Sequence, residues 1–176
     1  MKLTIAGDHA AIEPSQWVTR FGALIPPRAT ILDVACGSCR HANWFAGNGY
    51  SVTAVDKVRP AKVLPEVDFL LADIESGTWP FEGRNFAAVV VTNYLHRPLF
   101  PQLLEAVAPG GLLIYETFAA GNEKYGRPSN PDYLLRPNEL LERVQNCLHV
   151  VAFEDMYQEA PKPAMIQRIA ARRPLG

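Results

Sequence analysis

The twelve residues from Ile31 to Ala42, ILDVACGSCRHA, constrain the fold of this chain more than any other stretch. Ile31 to Val34 is a short apolar run broken only by Asp33, a turn of small residues follows, and His41, Ala42, Trp44 and Phe45 open a helix-like segment. Strand, tight turn and helix N-terminus in that order leave free backbone N–H groups and the positive end of a helix dipole above the strand. An anionic ligand group is favoured there. Ala35, Gly37 and Ser38 are small enough for a ligand to touch backbone.

Asn48-Gly49 closes that helix, and Ser51 to Val55 forms a second β-rich run ending in Asp56, 19 residues after Gly37. A carboxylate at the end of the second strand of a doubly wound sheet accepts hydrogen bonds from ribose hydroxyls, so the expected ligand is a ribonucleoside. Two nucleoside cofactors compete for this geometry. A dinucleotide pyrophosphate calls for G-x-G-x-x-G, whereas the chain offers A-x-G-x-x-R from Ala35 and G-x-C-x-x-A from Gly37. Neither register fits well.

Asp33-Val34-Ala35-Cys36-Gly37-Ser38-Cys39-Arg40 resembles the D-x-G-x-G-x-G turn of class I S-adenosylmethionine-dependent methyltransferases, followed at the right distance by their ribose-binding acid. Two glycines are replaced. Ala35 is a mild change, while Cys39 puts a Cβ where the family usually has none, and a positive φ there costs about 1–2 kcal/mol. The resemblance implies that Ala35, Cys36, Gly37 and Cys39 hold the methionine part and that Asp33 accepts from its α-amino group. Asp56 with Lys57 would hold the ribose, Asp73 with Ile74 the adenine, and Asn93 would join them. S-Adenosylhomocysteine would be the product. The lost glycines motivate a second reading, a non-catalytic cofactor-binding or partner-binding module. A nicotinamide oxidoreductase is a third.

At 176 residues the chain suits one domain, 1–176, and is short for a nucleotide domain plus a separate substrate domain. The net charge of −1 provides no general field for a polyanion, so no nucleic-acid partner is expected; Arg168, Arg172 and Arg173 read as solvated ends of a last strand. No basic-then-apolar leader and no run of ~20 apolar residues is present, which predicts a cytoplasmic protein with no membrane partner. Cys36 and Cys39 form a C-x-x-C, but a zinc site needs two more ligands and the one other cysteine, Cys147, lies on a different element. No metal is expected, and the two cysteines read as small residues of the turn. Cys39, beside a helix N-terminus, is expected to be a reactive thiol that bound cofactor shields. Nothing in the sequence fixes the oligomeric state.

Taken in order, residues 1–28 read as a loose start and then a helix capped by Ser15, with Trp17 as lid aromatic or core anchor. Lys57 to Glu66, punctuated by Pro60 and Pro65, allows a short helix at best. Val67, Phe69 and Leu71 alternate as a third strand that leads to Asp73, whose other reading is the cap of a turn. Phe86 to Thr92 is a buried central strand delivering Asn93, Tyr94 and His96 to the carboxyl edge of the sheet. Pro98 starts a helix reaching Val107, and Pro109-Gly110-Gly111 turns into a fifth strand, Leu112 to Phe118. The 17-residue loop 119–135, long for a compact domain, is a candidate acceptor lid. Its YGRPSNPDYLL resembles the small bacterial methyltransferases of the TehB type. Pro137 to Cys147 is a helix, and His149 to Phe153 and Met165 to Ala170 are two last strands.

The expected architecture is therefore α/β, a Rossmann-like doubly wound, seven-stranded, mostly parallel sheet with an antiparallel final hairpin strand and helices on both faces. The expected function is methyl transfer to a small-molecule acceptor. Tyr94 and His96 are the candidates nearest the methyl, with Tyr125 and Arg127 supplied by the long loop; His96 reads almost equally as a helix cap.

Overall fold

The computed structural model describes residues 13–176, so the loose start expected from Met1 to Glu13 lies outside the described residues apart from Glu13. Its sheet contains β1 (Thr30–Val34), β2 (Ser51–Asp56), β3 (Val67–Leu71), β4 (Phe86–Thr92), β5 (Val107–Phe118), β6 (His149–Gln158) and β7 (Ala164–Arg172). The order is β3-β2-β1-β4-β5-β7-β6. β3 through β5 pair in parallel, and β7 runs antiparallel to both β5 and β6. This is the expected doubly wound sheet with a reversed strand near one edge.

Alternate residues of the central strands serve opposite faces, because successive side chains of a strand point apart. Ile31, Ala88, Val90, Leu112 and Ile114 join one core with Trp17, Val18 and Phe21 of α1 (Gln16–Gly22) and Ala42 and Phe45 of α2 (Arg40–Gly47). Leu32, Val89, Val91, Leu113 and Tyr115 join the other with Leu103 of α3 (Phe100–Glu105) and Leu140 of α4 (Glu139–Val144). Both faces being covered explains why FAAVVVT carries no polar alternation.

Several boundaries differ from the sequence reading. Residues 57–66 form turns and no helix, in keeping with Pro60 and Pro65. The segment after Pro98 opens with one 3-10 turn, Arg97–Leu99, and α3 ends at Glu105, so Val107 belongs to β5. Pro109-Gly110-Gly111 is an excursion inside β5, where the register jumps from Phe86↔Val107 to Ala88↔Leu112. Gly111 is forced there, because a Cβ would lie 2.9 Å from the carbonyls of Ala87 and Ala108. α4 spans only Glu139–Val144, while β6 and β7 run well beyond the apolar cores that announced them.

Trp17 is a core anchor, 2% exposed, and its indole donates to the carbonyl of Ile169 at 3.2 Å. Arg168, Arg172 and Arg173 are engaged within the fold. Arg168 bridges Glu116 and Glu154, and the other two donate to the carbonyls of Gly110 and Leu104. Among the described residues no helix is long and apolar enough to cross a membrane.

Candidate functional site

The chain winds from β1 out to β3, then returns to place β4 on the other side of β1. Between β1 and β4 the connections diverge, and the carboxyl ends of those strands leave a crevice. A cleft of about 250 Å³ lies there. Ala35 follows β1, Asp56 and Lys57 end β2, Ala72 to Glu75 follow β3, and Asn93 and Tyr94 follow β4; all of them line it.

The turn after β1 is built from left-handed backbone. Ala35, Gly37 and Cys39 have φ of 52°, 55° and 58°. Positive φ at Ala35 and Cys39 puts a Cβ where only glycine is free of strain, so Ala35 is a costlier replacement than its small size implied. Gly37 has open space on its Cβ side and donates its N–H to Asp56 Oδ2 at 2.8 Å. Asp56 Oδ1 accepts from Val58 N–H at 2.9 Å, which leaves carboxylate lone pairs toward the cleft.

Below the turn, Asp33 is fully buried and accepts from the Ala42 N–H at 3.0 Å through Oδ2, while Oδ1 has no partner. Burial pushes its carboxyl up to about 7, against the pull of that backbone bond and of Arg40. An orphaned buried acceptor of this kind matches a cationic donor such as an α-amino group.

Asp73 is exposed and takes the capping role as well, accepting from the N–H groups of Glu75 and Ser76 and from the Ser76 hydroxyl at 2.6 Å. These bonds, the Ser76 hydroxyl first, hold its carboxyl below the usual range. Ile74, 7% exposed, gives the cleft an apolar wall beside it. Across the cleft Asn93 sits at φ 53° with its N–H on the carbonyl of Glu116. The Tyr94 hydroxyl is buried without a partner, and burial followed by the nearby Glu75 carboxylate raises its pKa. The Tyr94 carbonyl is pinned by the hydroxyl of Tyr115 at 2.8 Å.

Other candidates fall elsewhere. Cys36 and Cys39 are 7% and 0% exposed and point into the core beneath the turn, so the expected accessible thiol at Cys39 is not there. They contribute backbone only. Tyr125 packs on Tyr157 of β6 at 5.1 Å, and Arg127 is exposed; the long loop does not bring either to the cleft wall. The reason is Asn122, whose side chain donates to Pro128 and accepts from Met165 N–H, tying the loop toward β7. His96 is half-buried at the N-terminal position of the 3-10 turn, makes no capping bond and is not part of the cleft wall.

Sequence reasoning missed His41 as more than a helix residue. It is 1% exposed, accepts the Ser15 N–H at Nε2 and lies 3.3 Å from Thr92 Oγ1 through Nδ1. With Nε2 accepting, the neutral ring carries its proton on Nδ1. Burial, then Arg40, lowers its pKa to about 3. Arg97 was missed too: it binds both oxygens of Glu139 and the carbonyls of Asp132 and Leu134, fastening the segment after β4 to the long loop. Its one sequence signal is position, a cation just beyond a central strand.

Residues 32–114, which contain the turn and the ends of β1 to β4, match the family model described as a methyltransferase domain. That match takes in just under half of the chain. No curated protein matches its sequence. Among solved structures, TehB from Haemophilus influenzae superposes with a TM-score of 0.71 at 18% identity over 89% of this chain. The chain spans about 61% of the length of that protein. The TehB-like S-adenosylmethionine-dependent methyltransferase from Corynebacterium glutamicum gives 0.67 at 16% identity, covering 93% and 91% of the two chains. The 1,6-didemethyltoxoflavin-N1-methyltransferase of Burkholderia thailandensis, solved with 1,6-didemethyltoxoflavin and S-adenosylhomocysteine, gives 0.68 at 19% identity, covering 95% and 80%. At such identities the likeness is one of fold.

Proposed function

We propose that the chain transfers the methyl group of S-adenosylmethionine to a small-molecule acceptor. The observation that carries this reading is the convergence in one cleft of a left-handed turn, the Asp56 carboxylate at the end of β2 and the Asp73–Ile74 pair at the end of β3. When bound, S-adenosylmethionine supplies a methyl group on a sulfonium whose positive charge is discharged as the methyl leaves. The chain's own work is to bind, align and dry.

In this reading Asp33 Oδ1 receives the α-amino group and Asp56 the ribose hydroxyls. Asp73 keeps acceptor capacity for the adenine amino group, and Ile74 covers the ring. Tyr94 stands at the edge of β4, where its ring faces cationic charge favourably. His96, two residues beyond Tyr94 and outside the cleft lining, makes no capping bond and would be the group to take a proton from a hydroxyl or amine acceptor. A small acceptor is supported by the structural likeness to a methyltransferase solved with 1,6-didemethyltoxoflavin.

Calorimetric titration with S-adenosylmethionine and S-adenosylhomocysteine tests the cofactor half. Asp56→Ala is expected to weaken affinity at least tenfold, about 1.4 kcal/mol. Absence of any affinity in the millimolar range sinks the reading. Thermal-shift titration separates the nicotinamide alternative, which requires stabilisation by NAD. Cofactor binding without methyl transfer to any member of a broad acceptor panel would favour the non-catalytic module, whose support is the strain at Ala35 and Cys39.

A further inference from the structure

The methyl-transfer reading leaves the Cys36–Cys39 pair without a role. Their sulfurs lie 3.2 Å apart beneath the turn. The backbone brings them together: Cys39 N–H donates to the Cys36 carbonyl at 2.9 Å, closing a four-residue turn. Such a turn holds its end Cα atoms within about 7 Å, and a disulfide spans about 4.4–6.8 Å. Both side chains are buried in the same apolar cluster beneath the turn.

We propose that Cys36 and Cys39 are an oxidation site, in which a peroxide converts the two thiols to an intrachain disulfide that deforms the turn and weakens cofactor binding. The effect on binding rests on the cofactor reading of the cleft. Cys36 keeps 7% exposure against 0% for Cys39, so it is the sulfur a small oxidant reaches first. Its sulfur attacks one peroxide oxygen, the O–O bond breaks, and a sulfenic acid and one water form. The Cys39 sulfur then displaces the sulfenic hydroxyl, which leaves as a second water with the remaining thiol proton. Two electrons pass from the sulfurs to the peroxide. The Cys36 thiol is held above its ordinary pKa by contact with Cys39 and by burial, which makes the first step slow.

The strain falls on the ligand side of the turn. A disulfide requires an S–S distance of about 2.05 Å. The ends of the turn are anchored, since Cys36 N–H donates to Val55 and the Cys39 carbonyl accepts from Asn43 N–H. What lies between is Gly37 and Ser38, both exposed, with Gly37 held by Asp56. Linkage makes the coupling reciprocal: a tenfold loss of cofactor affinity on oxidation means that saturating cofactor raises the reduction potential of the pair by about 30 mV.

The test uses the Cys147→Ser chain, which removes the exposed third thiol. Hydrogen peroxide should lower the intact mass by two hydrogens, abolish both remaining thiols under denaturing alkylation and weaken S-adenosylmethionine binding at least tenfold, all reversed by dithiothreitol. Added Cys39→Gly or Cys36→Ser should remove the effect of peroxide on affinity. Failure to form the disulfide under excess peroxide overturns the proposal, as does a disulfide that leaves affinity within twofold. A reduced protein that binds no cofactor sinks the cofactor reading and the consequence for affinity, whereas the disulfide itself stands or falls on the mass.

Discussion

On the β1–β3 side, the carboxyl edge of the sheet is shaped by backbone meeting carboxylates. Gly37 and Val58 N–H groups point at Asp56, Ala42 N–H at Asp33, and Glu75 and Ser76 N–H groups at Asp73. On the β4–β7 side it is held by ion pairs between side chains, several of them far apart in sequence. Glu139, fully buried, meets Arg97, Arg136 and Arg143, and Arg168 joins Glu116 to Glu154 while lying over Trp17 at 4.7 Å. The first side leaves lone pairs and an orphaned oxygen for a ligand; the second spends its charges on itself. Unused acceptor capacity is thus concentrated on the first side, and closed ion pairs on the second. His41 sits at the seam, joining the cap of α1 to α2 and β4.

The sharpest way to break this contrast is Glu139→Ala. Burial works to raise the Glu139 pKa, yet the bonds from Arg97, the Arg136 N–H and Arg143 hold it at about 2. Removing the carboxylate strands Arg97 beside its neighbours, and the expected loss is about 3–5 kcal/mol in urea unfolding. A loss below about 1 kcal/mol would mean that the hub does not hold that side together.

Acid titration of stability separates the two buried groups of the turn region. Asp33 has its folded pKa raised from 3.8 to about 7, so its contribution is present below 3.8 and lost as pH rises toward 7. His41 is lowered from 6.5 to about 3, so its contribution is present above 6.5 and lost as pH falls toward 3. Across the window they share the slopes oppose, each limited to about 1.4 kcal/mol per pH unit. Asp33→Asn should leave stability rising with pH, and His41→Gln should leave it falling. Slopes of one sign in both variants would refute the assignment. The same logic makes S-adenosylmethionine binding tighten as pH rises toward 7, because an α-ammonium group held by Asp33 requires that carboxyl to lose its proton to solvent.

Ala35→Gly relieves positive φ at an incompletely buried site and should stabilise by about 0.5–1 kcal/mol, read as a raised unfolding midpoint. The smallest effect is expected at His96→Ala, which should lower turnover while leaving cofactor affinity within about threefold, ~0.7 kcal/mol. Unchanged turnover on the true acceptor would remove His96 from the reaction.

The contrast between the two sides also accounts for what the sequence disclosed. The turn after β1, Asp56 and the apolar run of β4 are local patterns whose spacing is enough to place them at strand ends. Left-handed φ at Ala35 was invisible, because alanine itself gives no sign of it; only the missing glycine pattern did. On the other side, Arg97 meets Glu139 across 42 residues and Arg168 meets Glu116 across 52. No periodicity reports such pairings. That Tyr125 and Arg127 lie off the cleft wall was illegible for the same reason, since their loop is tied down by Asn122 reaching Met165 across 43 residues.

The place of β7 between β5 and β6 fixes when the sheet can be finished. β7 follows in the chain both of the strands it separates, and among the described residues it supplies every pairing that β6 has. While the ribosome has made only the chain through Gln158, β5 presents an open edge from Leu112 to Phe118 and β6 has nothing to pair with. The parallel half is able to assemble early, during synthesis, whereas the antiparallel half waits for its last strand and leaves an adhesive edge to be guarded meanwhile.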